Sequence, residues 1–187
     1  MGVMLDRRSL LALAALPILP ARGQTRARYE FDQTVGRIGF AARHLGLFTS
    51  QGSFERFQAI LLIDPANPGS ASVECVVETG QVSIPFPGAT DLLRSENYFD
   101  IARHPTARFD GQAQGFGGEG GFPIAGQLAV RGITRPFRMT ARLMERQSGV
   151  ARFQAEGEMR RGEFGMVADR TLISDSIQLS VDVRIAV

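Results

Sequence analysis

Apolar and polar residues alternate with a period of two along most of this 187-residue chain. This alternation is typical of β-strands that bury one face. The clearest series is the last, which begins with Ile177, Leu179 and Val181 and runs to Val187. Short turns rich in glycine, proline or asparagine separate the series. The pattern predicts nine strands, at residues 28–31, 35–44, 52–63, 72–84, 106–113, 122–130, 137–143, 151–159 and 177–187.

One block, from Asp91 to Asp100, breaks this alternation. Thr90 is a good N-cap for a short helix, and Ser95 could cap a second short turn. That second turn would carry two aromatic residues, Tyr98 and Phe99. The block therefore predicts a short helical lid on an otherwise all-β protein.

The strands predict an all-β fold, an antiparallel barrel or sandwich, and the volumes of the inward side chains favour a barrel of about eight strands. Their inward positions mix large residues (Phe40, Phe122, Phe137, Phe153) with small ones (Ala42, Gly126, Ala141, Ala151, Ala155, Gly157). A barrel of this size is filled by side chains or holds one ligand. Small residues opposite phenylalanines would leave an elongated apolar lumen. In the alternative interpretation they only pack the taper of the barrel.

The first 23 residues are typical of an export signal. Arg7 and Arg8 precede an apolar run at 10–19, and Ala21 and Gly23 are suited to cleavage before Gln24. The run is too short to span a membrane. The adjacent arginines also resemble a twin-arginine signal, and either export route fits. We therefore predict a signal peptide at 1–23, a single domain at 24–187 and a periplasmic location.

Removing the signal changes the charge balance. It leaves 18 basic and 18 acidic residues, so charge does not favour a nucleic-acid partner. The chain contains no lysine, which excludes Schiff-base chemistry. Its one cysteine, Cys75, alternates with Val73 and Val77 and is interpreted as a small buried apolar residue.

Few residues carry recognisable chemistry. The two histidines, His44 and His104, form no metal-ligand spacing with other residues, so neither a metal nor a cofactor is predicted. Residues 115–120 match G-x-G-x-x-G, but a strand follows where a dinucleotide site needs a helix. This segment is interpreted as a hairpin tip.

Two polar residues are candidates for contact with a ligand. His44 ends an inward strand face, so it lies either at the end of the lumen or on the rim. Arg94 of the lid either pairs with Asp91 or Asp100, or meets a polar ligand head at the barrel mouth.

The chain resembles the YceI-like family of exported polyisoprenoid-binding proteins, which have an extended lipocalin-like antiparallel barrel. The resemblance covers about residues 28–187. The chain departs from the family pattern at Thr90, Leu92 and His104, where the family commonly has a basic residue, a histidine and a tyrosine, respectively. The matching segments, in family order, are His44-Leu-Gly46, Gly52-Ser-Phe54, Leu93-Arg-Ser95, Tyr98-Phe-Asp100, His104-Pro105, Phe109, Gly126-Gln-Leu128, Gly132-Ile-Thr-Arg-Pro136, Arg161, Phe164-Gly165 and Ser174-Asp175.

This resemblance implies a non-enzymatic protein that carries or sequesters a long isoprenoid-type lipid or another amphiphile in its lumen. Two alternatives stay open, a lipid-modifying enzyme that uses His44 and a partner module of a membrane redox protein. Pairing into a homodimer also stays open. The candidate ligand-binding residues are Phe40, His44, Arg94, Tyr98, Phe99, Phe122, Phe137, Phe153 and Phe164.

Overall fold

A computed structural model describes residues 26–64, 67–115 and 121–186. The signal peptide predicted at 1–23 lies outside these residues, and so does most of the glycine-rich segment at 115–120. The strands on either side of that segment pair antiparallel, as a hairpin tip requires.

Eleven strands of the described chain form one antiparallel sheet. The strands are β1 (Ala27–Asp32), β2 (Gly36–His44), β3 (Phe48–Phe54), β4 (Phe57–Asp64), β5 (Asn67–Glu78), β6 (Val82–Ser83), β7 (Thr106–Ala113), β8 (Gly121–Val130), β9 (Ile133–Gln147), β10 (Val150–Arg160) and β11 (Ile173–Ala186). Their order across the sheet is β1-β4-β5-β7-β8-β9-β10-β11-β2-β3-β6.

The sheet curls into a half-barrel, which brings its first strand towards β10 and β11. Tyr29 and Phe31 of β1 pack against a buried cluster of Ala151, Val183 and Ile185. The N–H of Arg184 donates to the carbonyl of Val35 at 3.0 Å. The curl therefore encloses the inward faces of the strands, and the predicted all-β antiparallel fold is confirmed.

Two of the nine predicted strands are each divided in the structure. The segment at 52–63 turns at Glu55 and Arg56, which are both exposed between the buried Phe54 and Phe57. Two consecutive polar residues reverse the phase of the alternation, so one strand ends and another begins. The segment at 72–84 is interrupted by a 3-10 turn at Thr79–Gln81. The prediction of single strands was wrong at both places.

The lid is a single helix, α1 (Ala89–Arg94), followed by a turn. Its N-cap is Gly88 at φ 74°, so the prediction of Thr90 as the N-cap was wrong. Glycine adopts this left-handed conformation without a Cβ penalty. Ser95 is the C-cap of α1, and its carbonyl accepts the N–H groups of Tyr98 and Asp100 in the following turn. Its hydroxyl donates back to Leu92 at 2.7 Å.

Glycines on the inner wall allow phenylalanine rings to lie flat against the sheet. A Cβ at Gly111 would lie 2.5 Å from Cζ of Phe109, and the ring of Phe40 would clash in the same way with a Cβ at Gly52. We call Gly111 and Gly52 the ring seats. They keep two bulky side chains close to the wall and leave the space inside the barrel free.

Candidate ligand-binding lumen

The curled sheet and the lid surround a cavity of about 410 Å³. This volume is within the usual range of small-molecule sites. Its walls are almost entirely apolar, and they come from the inward faces of the strands and from lid residues such as Ala89, Leu92 and Leu93. We call this cavity the lumen. It is suited to a hydrocarbon chain more than to a polar molecule.

Seven of the nine predicted ligand-binding residues line the lumen, namely Phe40, His44, Tyr98, Phe99, Phe122, Phe137 and Phe153. The lining described for the lumen does not include Arg94 or Phe164. Arg94 lies beside Asp91, with a nitrogen–oxygen distance of 3.7 Å, which is the pairing that the sequence offered as the alternative. Phe164 is buried in the core beneath the lumen wall. Contact between these nine residues and a ligand stays a prediction.

Aromatic contacts stiffen the lumen wall and include rings that the sequence reasoning missed. Phe54 stacks at an angle against both Phe40 and Phe99, with centroid distances of 5.5 and 5.6 Å. Phe109 meets Phe137 edge to face at 5.7 Å. Both missed residues lie in segments that resemble the family. Phe54 was assigned to no face because the phase of the alternation changes directly after it.

A polar pair sits at the lid end of the lumen. The β2–β3 hairpin places His44 and Ser50 side by side, and His44 Nε2 lies 2.6 Å from Ser50 Oγ. Ser50 is buried. The described residues place no carboxylate within hydrogen-bond distance of His44. His44 and Ser50 therefore form a hydrogen bond with each other inside an apolar wall.

Arg161 is the charged residue that sequence reasoning did not select. It begins the 3-10 turn Arg161–Phe164 after β10 and is only 2% exposed. Its guanidinium donates to the carbonyls of Met166 at 2.8 Å, Ile173 at 3.0 Å and Ser174 at 3.1 Å. The guanidinium group holds its N–H donors in one plane, and this geometry allows it to bond all three carbonyls at once. Arg161 therefore fastens the loop at 166–172 to the end of the lumen.

A second contact joins this loop to the lid. Tyr98 is buried, and its hydroxyl donates to Asp169 Oδ2 at 2.8 Å. Burial raises the pKa of Tyr98 to about 12, and the bond to the negative Asp169 acts in the same direction. Arg161 opposes this rise in pKa. The phenol is therefore neutral at physiological pH and keeps its donor role.

Cys75 lies on β5 and faces the lumen with Val73 and Val77. Burial raises the pKa of its thiol to about 12. A thiol is nucleophilic as the thiolate, so this side chain is unreactive at neutral pH. The shared face agrees with the interpretation of Cys75 as an apolar wall residue.

Neither a metal site nor a membrane-crossing helix occurs in the described part of the chain. No group of three histidine, cysteine or carboxylate side chains there is placed to hold a metal. None of the helices there is both long and apolar enough to cross a bilayer.

A family model described as the YceI-like domain matches residues 29–185. Among curated relatives, a UPF0312 protein of Pectobacterium carotovorum subsp. carotovorum is 29% identical over 95% of this chain and 96% of its own length. Protein YceI of Salmonella arizonae is 25% identical over 95% of this chain and 97% of its own length.

Solved structures share the fold. BcnA of Burkholderia cenocepacia has a TM-score of 0.74 at 17% identity, and the match covers 82% of this chain and 98% of BcnA. A polyisoprenoid binding domain from Saccharophagus degradans, implicated in plant cell wall breakdown, has a TM-score of 0.61 at 12% identity. That match covers 86% of this chain and 98% of the domain.

Proposed function

The chain belongs to the YceI-like family, and from this premise we propose that it is a periplasmic carrier that holds a long isoprenoid-type lipid in its lumen without catalysis. The apolar lumen of about 410 Å³ is the observation that carries the proposal. Each methylene group transferred from water to such a site contributes about 0.8 kcal/mol. A long chain therefore binds tightly without specific polar contacts.

The proposed orientation of the lipid follows from where the polar wall residues lie. His44, Ser50, Tyr98 and Arg161 gather at the lid end, and the other polar residues of the lining are Ser72 and Arg108. Arg108 is exposed and donates to Asp110 and Glu74, so the surface that the rest of the wall presents to the lumen is almost wholly apolar. A polar head group would lose its hydration anywhere else in the lumen. We place the head at the lid end and the chain along the barrel. The isoprenoid class is supported by the fold shared with the Saccharophagus degradans domain, which is described as polyisoprenoid-binding.

We expect protein purified from its own periplasm to carry a lipid. Native mass spectrometry should show a complex that is heavier than the chain, and solvent extraction should release a long-chain molecule. Cys75 supplies a second readout because it is the one thiol of the chain and faces the lumen. A small apolar thiol reagent at high pH should label it faster after the lipid is removed.

Extraction followed by reloading with a polyprenol is the control for this experiment. Reloading should restore both the higher mass and the slow labelling of Cys75. A lipid-free mass for the freshly purified protein, together with equal labelling before and after extraction, would remove the basis of the proposal.

A lipid-modifying enzyme is a second candidate, favoured by the contact of 2.6 Å between His44 and Ser50. A histidine beside a buried serine hydroxyl is the first requirement of an activated nucleophile. If the protein hydrolyses a lipid ester, His44→Ala should lower turnover by at least about a hundredfold while lipid binding persists. A carrier should instead show no turnover in either form, and the assay is release of fatty acid from a fluorescent ester.

A further inference from the structure

Strongly exposed apolar side chains gather at the lid end of the barrel. Leu47 and Phe48, at the tip of the β2–β3 hairpin, are 80% and 68% exposed. We use the name apolar rim for seven exposed residues of the hairpin, the lid region and the loop before β11: Leu45, Leu47, Phe48, Phe86, Leu92, Val167 and Leu172. Large exposed apolar patches usually mark an interaction surface.

The apolar rim is continuous with the lumen wall. Leu92 both belongs to the rim and lines the lumen. Backbone pairing joins two parts of the rim, because the N–H of Leu45 donates to the carbonyl of Leu172 at 2.9 Å. The rim therefore borders the lid end of the lumen. Three other rim residues are direct neighbours of lumen residues: Leu45 of His44, Val167 of Met166, and Leu172 of Ile173.

Leu45, at the hairpin tip, is exposed and has a left-handed backbone conformation that other residue types adopt more easily. Leu45 and Gly46 have φ values of 50° and 71°, and the N–H of Leu47 donates to the carbonyl of His44. Turns of this kind favour asparagine or aspartate followed by glycine. An exposed leucine gains nothing from water and strains the backbone. Its presence at the tip is explained if the side chain meets an apolar phase.

Two arginines lie near the tip. Arg43 and Arg170 are exposed, and neither forms an ion pair within 4 Å among the described residues. Arg43 lies near enough to Glu158 to help lower the pKa of that carboxyl group. The carboxylates in this region have other partners: Asp169 accepts from Tyr98, Asp175 from the N–H of Gly162 and Glu158 from Gln178, while Asp91 lies beside Arg94. Exposed arginines that form no direct salt bridge, beside exposed apolar residues, complement the phosphate groups at a membrane surface.

We propose that the apolar rim docks on the surface of a phospholipid bilayer, with the β2–β3 hairpin tip inserted among the lipid head groups. Docking turns the lid end of the lumen towards the membrane, where long-chain lipids reside, so that a ligand enters without crossing water. The purpose of this docking rests on the proposed carrier function. The docking itself does not depend on a bound ligand.

Sedimentation with vesicles of phosphatidylethanolamine and phosphatidylglycerol tests the docking. The double variant Leu47→Ser/Phe48→Ser should bind these vesicles about a hundredfold more weakly than the wild type, since each large apolar side chain contributes about tenfold or more to partitioning. The matched control is Leu143→Ser/Met144→Ser on the β9–β10 hairpin. Those two side chains are also exposed but lie at the opposite end of the barrel.

The control variant should bind within about twofold of the wild type, as expected for surface changes away from the contact. Absence of wild-type binding to the vesicles, or equal binding by the wild type and the rim variant, would overturn the proposal. A wild-type dimer that the rim variant converts to monomer in analytical ultracentrifugation would also overturn it, because the rim would then contact a second copy.

Farnesol affinity in detergent-free buffer separates this proposal from the carrier function. The rim variant should keep wild-type affinity, because neither substituted residue lines the lumen. Farnesol binding without vesicle binding would reject the docking alone. Vesicle binding without farnesol binding would reject the carrier function alone.

Discussion

Replacing Ala155 with phenylalanine is expected to lower the affinity for a long polyprenol by at least about a hundredfold. Ala155 lines the lumen from β10, and the small Ala141 lies opposite it on β9. The new ring adds six carbons to space that the chain would occupy, and six displaced methylene groups correspond to about 5 kcal/mol at most. The ring fills a cavity, so stability should change little.

The affinity is measured by displacement of a fluorescent apolar probe, with farnesol and the longer solanesol as competitors. Solanesol should lose more affinity than farnesol, because a short chain can still use the unfilled part of the lumen. Ala129→Phe is the matched control, since Ala129 alternates with the inward Leu128 and Val130 and does not line the lumen. Unchanged solanesol affinity in Ala155→Phe would place the chain outside the lumen.

Replacing Arg161 with methionine is expected to lower the free energy of unfolding by about 3–5 kcal/mol. The substitution removes three hydrogen bonds to the carbonyls of Met166, Ile173 and Ser174 and leaves buried acceptors without donors. For a chain of this length the melting temperature should fall by roughly 10 °C. The measurement is urea and thermal unfolding of the delipidated protein.

Two further variants identify the cause of this loss. Arg160→Met removes the same charge from the exposed neighbouring residue and should stay within about 0.5 kcal/mol of the wild type. Arg161→Lys keeps the charge but cannot donate to three carbonyls in a fixed plane, so it should recover only part of the stability. Full recovery by lysine would show that charge alone matters, contrary to the role derived from the hydrogen bonds.

The sequence predicts the strands well where one face is buried without interruption. The strand at 106–113 was predicted with the bounds that β7 has, because its alternation is regular and it is bounded by Pro105 and a glycine-rich segment. At Glu55 and Arg56 the phase reverses within two residues, and a scan for apolar positions alone merges two strands. The helix start was also missed, because Gly88 begins it through its backbone conformation and has no side chain to indicate a cap.

The lumen wall was more predictable than its polar end. Inward phenylalanines follow from alternation, and Phe40, Phe122, Phe137 and Phe153 all line the lumen. Arg161 follows a strand and contacts residues 5 to 13 positions later, all through their backbone carbonyls. Every residue has a backbone carbonyl, so no pattern of side chains in the sequence indicates which carbonyls Arg161 will bond. In the sequence, only the family segment that contains Arg161 distinguishes it from the other arginines.

One ring seat, Gly111, could control the width of the lumen although it is not among the residues that line it. At Gly111 the three atoms nearest to an added methyl group would be side-chain atoms, two of Phe109 and one of Ile124. The ring of Phe109 would then have to move into the lumen and narrow it. The amino acids that line the lumen would all stay the same. Relatives of this protein could therefore differ in the width of the ligand chain that they accept through one glycine-to-alanine change. A comparison of the lining residues alone would not detect that change.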